Sequence, residues 1–179
     1  MVARPPLKVR VEPMRLEDVP AVHRIESASF PTPWPDYAFR QELQTNRLAH
    51  YLVVRAGHET VAYGGIWLMV DEAHITTFAV LPEWRRRGIG GRLMVGLMDV
   101  ALDLSARVMT LEVRLSNRAA RELYARFGFK PVGLRPRYYS DNGEDALIMT
   151  TEVISEPAMS ARIAQMRERY GERAGGAPE

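Results

Sequence analysis

Apolar residues recur along this chain in two rhythms, one of period two and one near period 3.6, and together they divide it into short strands and amphipathic helices. Leu7 to Val11 alternates as a first strand, ended by Pro13. From Leu16, the residues Val19, Val22, Ile25 and Ala28 recur at helical spacing up to Phe30. Pro31, Pro33 and Pro35 break that helix, because proline lacks the N–H a helix interior needs. Asp36 to Leu43 then predicts a second, short helix. Leu48 to Arg55 and Thr60 to Met69 read as two strands about a turn at Ala56-Gly57-His58-Glu59, and Glu72 to Leu81 as a third. Ile89, Leu93, Leu97, Val100, Ala101 and Leu104 predict a long helix with one buried face. Val108 to Leu115 is strand-like, and Asn117 to Phe127 predicts a helix closed by Gly128. Lys130 to Leu134 and Ala146 to Ile154 supply the last two strands. Pro157 to Tyr170 carries Met159, Ile163, Met166 and Tyr170 on one stripe, a terminal amphipathic helix.

The predicted order is β-α-α-β-β-β-α-β-α-β-β, which makes a mixed α/β sheet with helices on both faces. At 179 residues the chain reads as a single domain, with a core over about 8–155, the terminal helix over 156–170 and a flexible tail over 171–179. Hydrophobic residues make up 46% and charged residues 26%, the composition of a soluble globular protein. The formal charge of +2 is too small to argue for nucleic acid as a partner. The N-terminal stretch Met1-Val2-Ala3-Arg4-Pro5-Pro6 has no apolar run of the kind a signal peptide needs. Asp99 and Asp103 interrupt the most apolar window, Leu93 to Leu104, so it is amphipathic and not a membrane span. A cytoplasmic location and no membrane partner are expected. Cysteine is absent, which excludes a disulfide scaffold, thiolate metal sites and a cysteinyl acyl-enzyme. The four histidines, His23, His50, His58 and His74, show no ligand spacing, so each is expected on the surface or in the core and no metal is expected.

The densest chemical signal follows the strand at Thr76 to Leu81. Pro82-Glu83-Trp84 leads into Arg85-Arg86-Arg87, and Gly88, Ile89, Gly90 and Gly91 then open the long helix. The first turn of a helix has backbone N–H groups with no partner of their own, and the helix dipole adds partial positive charge there. Glycines leave those groups bare, and arginines suit a ligand with several phosphates. A phosphorylated cofactor held by main-chain amides is the implied ligand. A nucleotide P-loop would need Lys and Ser or Thr after its last glycine, and Arg92-Leu93 stand there. A dinucleotide fingerprint would want Gly or Ala at Leu93 and a second nucleotide-binding half, for which the roughly ninety residues after Gly88 are too few. Glu112 does lie about 20 residues on, where a ribose-binding acid would sit, so that reading stays as a lesser alternative. An RNA contact through the three arginines is the plain electrostatic alternative.

Two further residues could carry chemistry. Glu112 falls inside the strand Val108 to Leu115, where a buried carboxylate costs several kcal/mol unless paired or wet. Pairing with Arg114, two residues on and on the same face, is the structural explanation. A functional carboxylate is favoured over it, since such groups cluster at sites. Tyr124 lies on the stripe Ala120, Leu123, Tyr124, Phe127, and periodicity alone reads it as a core tyrosine. Asn117 reads as a helix N-cap, with Ser116 as the other candidate.

The pattern Arg85-x-x-Gly88-x-Gly90 after an apolar strand resembles the acetyl-CoA pyrophosphate loop of the GNAT N-acetyltransferases. Leu111-Glu112-Val113-Arg114-Leu115-Ser116-Asn117-Arg118-Ala119-Ala120, followed by Leu123-Tyr124 and Phe127-Gly128-Phe129, is similar to the RimI branch, the ribosomal-protein-alanine N-acetyltransferases. Phe30-Pro31-Thr32-Pro33-Trp34 resembles that branch's loop between the first two helices, and Arg137-Tyr138-Tyr139 with Asp141 to Met149 resembles its late hairpin. The resemblance covers roughly Lys8 to Val153. It implies the GNAT fold, with a mostly antiparallel sheet, and acetyl-CoA as co-substrate. It implies Glu112 as general base through water, and Tyr124 as proton donor to the departing CoA sulfur. Phe78, Ala79 and Val80 would offer main-chain groups to the pantetheine and thioester, Arg85 to Gly91 would wrap the pyrophosphate, and Asn117 would contact the CoA arm. Trp34, Tyr138 and Tyr139 would line the entrance for a peptide. The three successive arginines depart from the branch, which often has glutamine in that loop.

The expected reaction is direct attack of an amine on the acetyl thioester, and the lack of cysteine agrees, since no thiol can carry the acetyl group. An N-terminal α-amine has a pKa near 8 against about 10.4 for lysine, so a carboxylate-held water frees it more easily. The expected partner is therefore a protein N-terminus, the alanine of small-subunit ribosomal protein eighteen being the branch's own target. A GNAT enzyme acting on lysine side chains or a small amine, and a non-catalytic acetyl-CoA-binding module, are the alternatives.

Overall fold

The computed structural model describes residues 8–171. Leu7, the predicted start of the first strand, and the tail beyond Gly171 lie outside the described residues. The strands are β1 Val9–Pro13, β2 Ala49–Ala56, β3 Glu59–Met69, β4 Glu72–Val80, β5 Val108–Arg114, β6 Lys130–Arg135 and β7 Ala146–Thr150. The helices are α1 Val19–Ser29, α2 Asp36–Thr45, α3 Ile89–Asp103, α4 Arg118–Arg126 and α5 Pro157–Tyr170. Among the described residues no helix is long and apolar enough to cross a membrane.

One seven-stranded sheet runs in the order β1-β2-β3-β4-β5-β7-β6. Every pairing is antiparallel except β4 with β5, which α3 joins in parallel as a crossover. Alternating residues feed two cores. One face, with Ala73, Ile75, Met109, Leu111 and Val113, packs against α3, α4 and α5. The other, with Val53, Tyr63 and Ala79, packs against Val19, Val22 and Ile25 of α1 and Phe39 of α2. On α3, Leu93, Met94, Leu97, Met98 and Ala101 are fully buried. Each of the large ones contributes about 1.5–3 kcal/mol of hydrophobic burial, so this helix is fixed firmly on the sheet.

The departures from the periodicity are local. A 3-10 turn over Leu16–Asp18 precedes α1, and another over Pro82–Trp84 precedes the arginine run. Ile154 is buried, but β7 ends at Thr150, because Thr151 and Ile154 turn their N–H groups to Met109 and Arg107 carbonyls below the ladder. Of the predicted α5 stripe, Met159, Ile163 and Met166 are buried and Tyr170 is partly covered, and Arg167 Nη2 reaches Asp99 of α3 at 2.5 Å.

Candidate active site

The parallel ladder between β4 and β5 covers Glu72–Ile75 and Val108–Leu111 and stops there. Beyond it β4 stays with β3 and β5 stays with β7, so the two strands part in the middle of the sheet. A bulge contributes. Ile66 pairs with Ile75 but Gly65 pairs with Thr77, so Thr76 is an extra residue that re-aims the rest of β4. The inner edges of Phe78–Val80 and of Glu112–Arg114 thus face a gap with ladder groups unclaimed by each other. Because strand residues alternate, Glu112 points away from the α3 side, where Leu111 and Val113 lie. Tyr124 of α4 lies on the α3 side. The two candidate catalytic residues stand on opposite faces of one gap.

Glu112 is almost covered, its side chain 9% exposed, and both its oxygens are held. Oε2 shares a hydrogen bond with Nε2 of His74 at 2.6 Å, and Oε1 accepts from Nε of Arg135 at 3.0 Å. The pairing with Arg114 does not form. Arg114 turns to Asp141 Oδ1 at 2.8 Å and Glu144 Oε2 at 3.3 Å, and lies 3.9 Å above the Tyr139 ring. Glu144 also accepts from the Ser116 N–H at 2.8 Å. Hydrogen bonds from Ser116, with Arg114 beside it, hold its carboxyl down at about 2. This cluster ties the segment before β7 to the end of β5 and fixes Tyr138 and Tyr139, whose rings meet edge to face at 5.2 Å. Burial pushes the Tyr139 phenol up to about 12 despite the nearby Arg114. Burial and the charge of Glu112 also raise Tyr138. Glu112, Tyr138 and Tyr139 therefore share one face of the gap.

Tyr124 is buried against Phe78, edge to face at 5.8 Å, and against Phe129. Burial, with Tyr139 nearby, drives its phenol well above the ordinary tyrosine value. Asn117 caps α4, its Oδ1 accepting from the Ala120 N–H at 3.1 Å. The N-cap expectation holds and Ser116 serves Glu144 instead.

The arginine turn is shaped by two left-handed residues, Arg86 at φ 63° and Gly88 at φ 78°. Gly88 starts α3 with no side-chain cap, which leaves the first-turn amides of Ile89, Gly90 and Gly91 free of one. Two of the three arginines are occupied locally: Arg85 Nε donates to the Val80 carbonyl at 3.1 Å, and Arg87 lies 4.9 Å over the Trp84 ring. Gly90 and Gly91 face different ways. A Cβ on Gly90 would meet Leu123 and Phe78, in the walls of the gap, whereas one on Gly91 would strike the Tyr170 ring of α5 at 2.4 Å.

Trp34 is exposed and lies over Phe39 of the other core, ring centroids 5.8 Å apart. Its main-chain N–H donates to Glu26 Oε1 at 3.1 Å, and Glu26 Oε2 accepts from the Tyr63 hydroxyl, which contacts Thr77 Oγ1 of β4 at 2.9 Å. The loop between α1 and α2 is thereby anchored to the strand bordering the gap. His74, Arg135 and the buried Glu26 escaped the sequence reading. For Glu26 the signal was a lone acid on the apolar stripe of α1; His74 and Arg135 touch Glu112 only through the sheet pairing. Among the described residues no group of acidic and histidine side chains could hold a metal ion.

Residues 19–129 match the model of the acetyltransferase (GNAT) family. A candidate ribosomal protein bS18-alanine N-acetyltransferase of Bacillus subtilis is 45% identical over 142 residues, 79% of this chain and 94% of that one. The ribosomal protein bS18-alanine N-acetyltransferase of Escherichia coli is 31% identical over 145 residues, 80% of this chain and 97% of that one. The crystal structure of the Escherichia coli ribosomal-protein-S18-alanine N-acetyltransferase superposes with a TM-score of 0.74 at 28% identity, over 82% of this chain and 94% of that one. A sheet parted between β4 and β5, with a glycine-opened helix at its mouth, and these likenesses lead to one assignment: the chain belongs to the GNAT family of N-acetyltransferases.

Proposed function

We propose that this enzyme transfers the acetyl group of acetyl-CoA to the N-terminal α-amine of a protein, and that its acceptor is the alanine-starting ribosomal protein bS18 named for its relatives. The observation that carries the reading is the placement of Glu112 and Tyr124 on opposite faces of the β4–β5 gap. A thioester lying in that gap would offer its carbonyl carbon to an amine on the Glu112 face and its sulfur to Tyr124. The uncapped amides of Ile89, Gly90 and Gly91 suit the pyrophosphate, with Arg86 free to turn toward it. Phe78, Ala79 and Val80 border the pantetheine path, and Asn117 flanks it at the start of α4. Trp34, Tyr138 and Tyr139 line the acceptor side.

Glu112 takes a proton from the amine through one water as nitrogen attacks, and the carbon–nitrogen bond forms as the carbon–sulfur bond breaks. A main-chain N–H near Val80 polarises the carbonyl oxygen. Moving a proton from an ordinary phenol to a CoA thiolate is uphill by about 2 kcal/mol, and the burial of Tyr124 raises that cost. Tyr124 therefore acts as a hydrogen-bond donor to the sulfur, and the thiolate gains its proton from solvent.

The test is a peptide carrying an unblocked N-terminal Ala and an internal Lys, incubated with acetyl-CoA and read by mass spectrometry. Acetylation on the α-amine is expected at neutral pH. Acetyl groups mainly on lysine would overturn the N-terminal assignment and leave acetyl transfer intact.

A further inference from the structure

The base reading of Glu112 leaves its two partners unexplained. Arg135 places its guanidinium on Oε1 at 3.0 Å. The other oxygen, Oε2, meets His74. Of the four histidines, only His74 touches a candidate catalytic group among the described residues; His23 pairs with Asp36 on the surface. The contact is built into the sheet. His74 lies opposite Thr110 in the parallel ladder, one rung before the strands part at Ile75 and Leu111. It therefore stands at the apex of the gap, on a strand and not a mobile loop.

We propose that His74 is a positioning residue for acetyl transfer: neutral, it holds the Glu112 carboxylate toward the acceptor by one hydrogen bond, and protonated, it adds a second cation beside Arg135 and takes Glu112 out of service as base. The inference rests on the reading of Glu112 as that base. The other groups facing this pair do not make such a switch. Arg135 and Arg114 stay cationic. Tyr138 and Tyr139 are pushed up by burial, so both stay neutral. Asp141 and Glu144 are held low by Arg114 and Ser116 respectively. On the His74 side, Glu72 is two residues back on the same strand, and Trp67 pairs across from His74 and donates to Glu42 of α2. An imidazole is the one side chain in this set whose charge ordinarily changes between pH 5 and 8.

The experiment follows kcat/KM for an alanine-starting peptide from pH 5.5 to 9 in the wild type, His74→Gln, His74→Leu and Glu112→Gln. The acceptor α-amine must lose one proton in every case, and His74 adds a second, so the wild-type acid limb should approach a slope of two. Glutamine keeps an N–H donor and removes the titration, so H74Q should show a slope of one. Its rate ratio between pH 8 and pH 5.5 should be smaller than the wild type's, since one proton fewer enters the acid limb. Leucine removes the donor as well, so H74L should also lose kcat at pH 8, with the KM for acetyl-CoA retained. A slope of two in H74Q overturns the switch, and an H74L kcat equal to that of H74Q overturns the positioning. Glu112→Gln separates this from the parent reading. Loss of about 10²–10⁴ in turnover supports the base, while a drop below threefold sinks the base reading itself, whatever His74 does.

Discussion

Neighbouring glycines at the start of α3 should respond to substitution in different currencies. In Gly90→Val the first added carbon would lie 3.2 Å from Leu123 Cδ2 and 3.7 Å from the Phe78 ring. The two further methyls of valine add to that crowding between Phe78 of β4 and Leu123 of α4. Gly90 does not need a left-handed backbone, so valine imposes no backbone strain, and the cost falls on the space a pantetheine or pyrophosphate must share. At 1.4 kcal/mol per tenfold, an overpacking penalty of about 1–3 kcal/mol corresponds to a rise in the acetyl-CoA Kd of roughly 5- to 150-fold. In Gly91→Ala the added carbon meets the Tyr170 ring at 2.4 Å, on the side facing α5. The same overpacking cost then appears as stability, a fall in Tm of roughly 2–12 °C for a domain of this size, with affinity little changed. Calorimetric titration with acetyl-CoA and scanning calorimetry read the two effects separately. Acetyl-CoA binding by G90V within twofold of the wild type would refute the loop assignment. Equal loss of affinity in G91A would refute the division of the two faces.

Tyr124→Phe removes the hydroxyl and keeps the ring packing on Phe78 and Phe129, so kcat should fall roughly 10- to 150-fold, as for one lost hydrogen bond to a charged sulfur, and the alkaline limb of the pH profile should not move. A limb that disappears in Y124F would restore Tyr124 as a titrating acid. Glu26→Gln tests the anchor of the Trp34 loop. Burial holds the Glu26 carboxyl above its ordinary value, against the hydrogen bonds from Tyr63 and Trp34. A folded-state pKa above the unfolded one means that the carboxyl's contribution to stability is full below the unfolded value near 4.3 and is lost as pH rises through the folded value. The Tm advantage of E26Q over the wild type should therefore grow between pH 4 and pH 7, and a difference that stays flat across that range contradicts the assignment.

Much of this protein was legible in one dimension. The helices and strands follow from local spacing: Ile89, Leu93, Leu97 and Ala101 of α3 and Met159, Ile163 and Met166 of α5 are buried as their periodicity implies, while Val100, Leu104 and Tyr170 are only partly covered, and Asn117 caps α4 as its position after a strand suggests. The glycine-opened turn could be read as an anion site because uncapped helix amides are a local property of the chain. The family resemblance extended that reading to Glu112, Tyr124 and the two tyrosines before β7. What local pattern could not supply is which side chains meet across the sheet. Arg114 looked like the partner of Glu112 because strand neighbours two apart share a face. The fold instead gives Arg114 to Asp141 and Glu144, and brings His74 and Arg135, 38 and 23 residues away from Glu112, to its two oxygens. Strand order and register make those contacts, and both depend on how distant segments bury their apolar faces together. The parting of β4 from β5 is decided the same way, by a bulge at Thr76 and by each strand keeping a different neighbour. The chain alone thus determined its elements and the glycine-opened turn proposed to hold the pyrophosphate, while only the assembled sheet decided the gap and the charges that surround its carboxylate.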